Sequence, residues 1–247
     1  MLGLVVYQDG WSVLDFLGQR WDLLLNYLLS RWPPAMWLDD EVLLRRILPE
    51  RREVIHPEGL VFGPQASGLD LEWLPPRLAC GLTVRGPIAA VRLPKTLECK
   101  GPVYLEGLGG LRTLGGITAP GQCLTVIGCQ DLERIELPSG TKLVVRDCYQ
   151  LNAIVGKITA DLHVEGCRSL ETIIGWLPRE AHPAPMLKIR NCLRLKAIGH
   201  HTAVARACGN LTLENCPELN YLQNLLVIRG HKTVTNCPAL GPVTGGW

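Results

Sequence analysis

Ten cysteines and six histidines are the residues of this 247-residue chain whose side chains could hold a metal or carry redox chemistry. No C-x-x-C pair occurs, and no histidine stands in a zinc-binding motif such as H-E-x-x-H. A metal or redox array would need such spacing. The sequence therefore predicts no metal site and no cofactor.

Six of the cysteines, the ladder cysteines, recur at one position of a repeating pattern. They are Cys129, Cys148, Cys167, Cys192, Cys216 and Cys237. We expect these thiols to be buried and to pack the interior, because a buried thiol has a raised pKa and reacts slowly. The other four cysteines precede strand starts at different offsets, and any one of them could be a reactive thiol: Cys80, Cys99, Cys123 and Cys208.

The pattern that fixes these positions is a repeat, L-x-V-x-x-C-x-x-L-x-x-I. Its first positions are Leu82, Val103, Leu124, Leu143, Leu162, Leu187, Leu211 and Lys232, and Leu60 and Phe62 start an irregular first copy. The L-x-V part predicts a short strand with two residues facing inward. The residue before the Cys position is always Gly, Asn or Asp, which tolerate positive φ, so we expect the chain to turn there.

One coil cannot bury its own apolar face, but stacked coils can, with strands about 4.8 Å apart in a parallel sheet. Over residues 58–247 the repeat resembles the leucine-rich-repeat superfamily, with Cys where that family has the Asn of its buried ladder. The segment 135–140 is similar to the short repeat of bacterial effector proteins, and the C-x-x-L spacing to a cysteine variant in plant resistance proteins. The resemblance implies a repeat solenoid of about eight coils with a short irregular convex side.

Residues 1–57 precede the repeat and predict a helical N-terminal cap. Ser12 and Asp15 form a plausible capping box, and Pro33 ends the first helix. A second helix is expected from about Asp39 to Leu48. Trp11, Trp21, Trp32 and Trp37 lie in this segment, which either covers the first coil or docks another protein.

The outward positions of the strands are the candidate contact surface. The fourth position of the repeat alternates in charge between coils, which predicts a column of neutralising pairs. The second position is mixed and mostly small. From these two columns the candidate binding residues are Tyr104, Arg146, His163, Glu165, Lys188 and Arg190.

Composition excludes several classes of function. Lys plus Arg is 25 and Asp plus Glu is 23, a net charge of +2, so we expect no nucleic-acid partner. The longest apolar stretch, residues 11–29, contains Asp15, Arg20 and Asp22, so we expect no membrane span. No secretory signal is recognisable at the N-terminus, which predicts a cytoplasmic protein, or one delivered into a host cytosol if it is an effector.

Three functions remain. The first is a non-catalytic scaffold that binds a protein through its sheet face, its rims or its helical cap. The alternatives are an enzyme with a cleft on the strand face and a substrate-recognition module of the bacterial effector type. No G-x-S-x-G or phosphate-binding motif occurs, so we expect no enzyme. The scaffold hypothesis adds a protein partner or self-association, through the last coil's edge or the Trp-rich N-terminal segment.

Overall fold

The computed structural model describes residues 60–62, 68–72, 74, 76–78, 80–137, 140–176, 184–199, 206–222 and 226–241. All regular elements within these ranges are β-strands. The predicted helical cap, residues 1–57, lies outside the described residues. Its division from the repeat region stays a prediction.

The strands follow one another along the chain as short segments of two to seven residues. They are β1 Leu60–Phe62, β2 Leu69–Asp70, β3 Arg77–Leu78, β4 Leu82–Ile88, β5 Val91–Arg92, β6 Leu97–Cys99, β7 Val103–Leu108, β8 Thr113–Leu114, β9 Ile117–Thr118, β10 Cys123–Ile127, β11 Arg134–Leu137, β12 Lys142–Arg146, β13 Ala153–Lys157, β14 Leu162–Glu165, β15 Thr172–Trp176, β16 Leu187–Arg190, β17 Ala197–Ile198, β18 Arg206–Cys208, β19 Leu211–Glu214, β20 Tyr221–Leu222, β21 Leu226–Ile228 and β22 Lys232–Thr235.

Nine of these strands form one parallel sheet, the long sheet, in the order β1-β4-β7-β10-β12-β14-β16-β19-β22. The first repeat positions pair directly, for example Leu124 with Leu143, Leu143 with Leu162 and Leu162 with Leu187. The irregular first copy joins the same register, because Leu60 pairs with Leu82. The predicted parallel solenoid is therefore confirmed.

The turn that ends each long-sheet strand depends on a residue with positive φ. The backbone has φ between 53° and 70° at all seven expected turn positions: Gly107, Gly128, Asp147, Gly166, Asn191, Asn215 and Asn236. Only Gly adopts this conformation freely, and Asn and Asp tolerate it better than other residues. The turn reverses the chain so that the next residue, Cys in six of the seven coils, faces inward.

The opposite side of the solenoid differs from the irregular convex side that the resemblance implied. Six strands form a second parallel sheet there, in the order β20-β17-β15-β13-β11-β8. The last apolar position of the repeat lines up across it, with Ile135 paired to Ile154 and Ile154 to Ile173. Shorter sheets (β3-β6-β9, β2-β5 and β18-β21) occupy other parts of the coils.

The core lies between these sheets and consists mainly of aliphatic side chains and cysteine thiols. In one coil, Leu143, Val145, Leu151 and Ile154 are all fully buried. Burying each such side chain contributes about 1.5–3 kcal/mol. Among the described residues Thr141 is the one buried polar side chain, and its Oγ1 accepts a 2.9 Å hydrogen bond from the Ala119 N–H.

The six ladder cysteines lie in this core with their thiols free. Each Sγ–H donates to the carbonyl two residues earlier, over 3.3 to 3.7 Å. Burial raises the pKa of Cys192 to about 12 and that of Cys216 to about 11. Each ladder thiol therefore fills core volume and also donates to the carbonyl of the last strand residue, and the raised pKa values keep Cys192 and Cys216 protonated.

We expect native protein to react slowly with a thiol reagent at nine of its ten cysteines. Cys123 is the exception, since it is only half-buried. Burial raises the pKa of Cys99 to about 12 and that of Cys208 to about 11, which disfavours their thiolates as well. The measurement is mass spectrometry after brief alkylation at neutral pH, with denatured protein as the control. Rapid modification of the ladder cysteines in native protein would contradict their placement.

Candidate functional site

The outer face of the long sheet carries the charged column formed by the fourth repeat position. Arg85 Nε lies 3.9 Å from Glu106 Oε2, and Arg146 Nε lies 3.7 Å from Glu165 Oε2. Arg190 donates from Nη2 to Glu214 Oε1 over 2.9 Å. These pairs join adjacent strands and are partly exposed, so each adds at most about 1 kcal/mol. They favour the observed register and neutralise much of the face.

The second repeat position runs parallel to this column on the same face. The sheet register places Val144, His163, Lys188 and Thr212 side by side on β12, β14, β16 and β19. Tyr104 lies on β7, separated from His163 by two intervening strands, with the Arg85 guanidinium 5.2 Å from its ring centre. The structure thus brings together Arg146, His163, Glu165, Lys188 and Arg190, and leaves Tyr104 apart.

His163 is a largely buried titratable group of this face, with 16% of its side chain exposed. Its Nε2 lies 3.5 Å from Glu165 Oε2, beyond a good hydrogen bond. Burial, and then the positive charges of Lys188 and Arg146, lower the pKa of His163, while Glu165 opposes them. The imidazole is therefore neutral at pH 7.

The lowered pKa of His163 predicts how stability changes with pH. In the unfolded chain the imidazole titrates near its ordinary value of about 6.5. The unfolded state therefore binds a proton more readily, and folding stability falls as the pH drops from about 7 towards the folded pKa. We expect the unfolding free energy of the His163→Gln variant, measured by denaturant melts at several pH values, to depend less steeply on pH than that of the wild type. An unchanged or steeper pH dependence would contradict the lowered pKa of His163.

A groove opens where the outer face meets the turns, and we call it the rim groove. It has a volume of about 510 Å³. Its lining comes from three positions in successive coils: Arg146, Asp147, Tyr149, Glu165, Gly166, Arg168, Asn191, Leu193 and Asn215. We call its turn residues the floor of the groove, and Tyr149, Arg168 and Leu193, which follow the ladder cysteines, its wall.

Two exposed apolar side chains lie in the wall of the rim groove. Tyr149 is 43% exposed and Leu193 is 39% exposed. Between them in sequence, Arg168 places its guanidinium 5.6 Å from the centre of the Tyr149 ring. The floor is polar, and Asn215 Nδ2 donates to Asn191 Oδ1 over 3.0 Å. The groove thus combines an aromatic ring, an aliphatic side chain and a pair of hydrogen-bonded amides.

The sequence did not single out Tyr149, Arg168 or Leu193. All three directly follow a ladder cysteine, at a position whose residue type changes from coil to coil. They become neighbours only because the register stacks this position along the solenoid. Aligning that position across the coils would have shown an aromatic, a charged and an aliphatic residue in consecutive coils, and so a mixed surface column.

Chemically, the rim groove offers hydrogen bonds and packing. Its two carboxylates belong to Asp147 and Glu165, and Glu165 is already paired with Arg146. Within the described ranges no three His, Cys, Asp or Glu side chains are close enough to share a metal ion. In the same part of the chain, no helix has the length and hydrophobicity needed to cross a bilayer.

Comparison with known proteins finds no matching family model, no matching curated protein and no matching solved structure. The resemblance to leucine-rich repeats therefore stays an interpretation of the repeat itself.

Proposed function

We propose that this protein is a non-catalytic scaffold that binds another protein through the rim groove and the adjoining outer face of the long sheet. The observation that carries the proposal is the rim groove, where Tyr149, Arg168 and Leu193 from three successive coils are held open to solvent. Tyr and Arg are among the residues that contribute most to protein–protein binding.

The attachment of the wall residues to the buried core supports a binding role. Tyr149, Arg168 and Leu193 each follow a buried cysteine whose thiol is hydrogen-bonded to the backbone, for example Cys148 to the Arg146 carbonyl at 3.4 Å. The side chains on the wall are thus anchored one residue from the core. A surface that needs little ordering on binding loses less entropy, which favours affinity.

The experiment is affinity capture from the source cell with wild-type protein and with a Tyr149→Ala, Leu193→Ala double variant. The matched control is Ile174→Ala, because Ile174 is also 39% exposed but lies on the second sheet. We expect a protein that wild type and control retain and the double variant loses. Equal retention by all three, or no retained protein, would contradict the proposal.

A second candidate is self-association through β22, one of the two edge strands of the long sheet within the described residues. Val234 on β22 is 36% exposed, whereas Val145 and Val164 at the same repeat position are fully buried. An exposed strand edge with an apolar side chain favours pairing with another strand. We expect Val234→Lys to shift the protein from dimer to monomer in sedimentation, and a wild type that is monomeric at high concentration would contradict this candidate.

A further inference from the structure

Among the described residues, Lys188 is the unmatched cation on the outer face of the long sheet. Three arginines there each face a glutamate on the neighbouring strand: Arg85 with Glu106, Arg146 with Glu165, and Arg190 with Glu214. Lys188 has no carboxylate within ion-pair distance among the described residues. From β4 to β22, the side chains at the fourth repeat position therefore carry no net charge. Those at the second repeat position carry one excess positive charge, that of Lys188.

The strands on either side of β16 add hydrogen-bond donors to this charge. The register puts His163 directly beside Lys188 on one side and Thr212 directly beside it on the other. All three side chains point to the same face and are partly buried. An imidazole, an ammonium and a hydroxyl thus stand in a row, about 4.8 Å apart from strand to strand.

Two further polar atoms around Lys188 lack a partner. His163 Nε2 and Arg190 Nε are both buried and make no hydrogen bond to any described residue. An unpaired buried polar atom costs free energy, so a bound acceptor that reaches either atom after a small side-chain rotation would be favoured. Arg190 Nε is always a donor, so at least one buried donor beside Lys188 lacks an acceptor among the described residues.

We propose that the row His163, Lys188 and Thr212 binds the carboxylate of one acidic side chain on the protein partner. This inference rests on the proposed function, since it names the chemistry of the partner that the scaffold recognises. The carboxylate accepts hydrogen bonds from the Lys188 ammonium and the Thr212 hydroxyl, and neutralises the excess charge. The row adjoins Glu165 and Arg146, which also line the rim groove, so one partner can occupy both.

A single carboxylate fits this row better than a nucleic acid does. Nucleic-acid binding needs several lysines or arginines, each neutralising one phosphate. Here the neighbouring arginines are already paired, and Glu165 and Glu214 flank the row on the same face. A second phosphate next to the first would meet these carboxylates and be repelled.

The test uses the full chain and the peptide acetyl-Gly-Ser-Glu-Ser-Gly-amide as the probe, with Gln in place of Glu as the matched peptide. The readout is NMR of the His163 imidazole, which is surrounded by the charges of Lys188, Arg146, Glu165 and Arg190. We expect the Glu peptide, and not the Gln peptide, to shift this resonance and raise the pKa of His163. The Lys188→Gln variant should weaken binding about tenfold.

Lys157→Gln is the control, because Lys157 is exposed on the second sheet. The proposal would be overturned if the Lys157→Gln variant lost as much affinity for the Glu peptide as the Lys188→Gln variant. It would also be overturned if the Glu and Gln peptides bound equally well. Tighter binding by a single-stranded DNA oligonucleotide, lost in the Lys188→Gln variant, would also overturn it in favour of a nucleic acid. If the Glu peptide does not bind, but affinity capture of a protein still depends on Tyr149 and Leu193, only the carboxylate site is contradicted. If the Glu peptide binds, but no protein is captured, only the scaffold function is contradicted.

Discussion

Replacing Leu162 with Ala should lower the free energy of unfolding by about 2–5 kcal/mol. Leu162 begins β14, is 1% exposed and stacks between Leu143 and Leu187. Removing its side chain leaves a cavity that the two neighbouring coils cannot close without breaking their shared register. The measurement is denaturant unfolding followed by circular dichroism.

The control for this prediction is Ile174→Ala. Ile174 is an aliphatic residue of a neighbouring strand, but its side chain is 39% exposed. We expect this variant to lose about 1 kcal/mol or less, since exposed substitutions away from special features have small effects. Equal losses in the two variants would mean that Leu162 does not face the core.

Replacing Gly116 with Ala should destabilise the fold more than replacing Gly121 with Ala. Both glycines have φ of +71°, so a side chain at either site adopts a strained backbone conformation that costs about 1–2 kcal/mol. At Gly121 a new Cβ meets no atom within 4 Å. At Gly116 it would overlap the carbonyl oxygen of Lys95, in the coil below.

Because the overlapping atom belongs to the backbone, one coil must move relative to the next. We expect the Gly116→Ala variant to lose a further 1–3 kcal/mol or so, a typical cost of forcing extra atoms into a packed site. Because both sites have the same φ, the backbone strain is the same in the two variants. The difference between their unfolding free energies therefore measures the cost of the overlap between coils. A difference near zero would show that the coils are not this close at Gly116.

Much of the long sheet could be predicted from the sequence because two periodic signals agree there. Leu124, Leu143 and Leu162 share one phase with Gly128, Asp147 and Gly166, so the strand and its turn are both fixed by residue type. The irregular spacing of the copies did not hide this register, because extra residues enter the coil outside these positions.

The second sheet could not be predicted in the same way. Its strands are short, and a run such as Arg134–Leu137 has only Ile135 fully buried. One inward residue gives no alternation, so the pattern does not distinguish a strand from an irregular segment. The hydrogen bonds that define the strand come from the coils on either side, as Ile135 pairs with both Leu114 and Ile154.

The candidate surface was predicted in part. The charged column follows from residue alternation, because neighbouring positions in the repeat become neighbouring strands. The rim groove depends on side-chain placement across three coils, as in the approach of Arg168 to the Tyr149 ring, and no single copy of the repeat contains it.

The stacking of coils is tested most directly by distances between spin labels on the second repeat position. Labels at Thr125→Cys and Thr212→Cys are four strand steps apart, and labels at Thr83→Cys and Thr212→Cys are six steps apart. In a background with Cys123 changed to Ser, pulsed electron paramagnetic resonance should give about 19 Å for the first pair and about 29 Å for the second. Distances that do not lengthen with the number of strands between the labels would contradict the parallel solenoid.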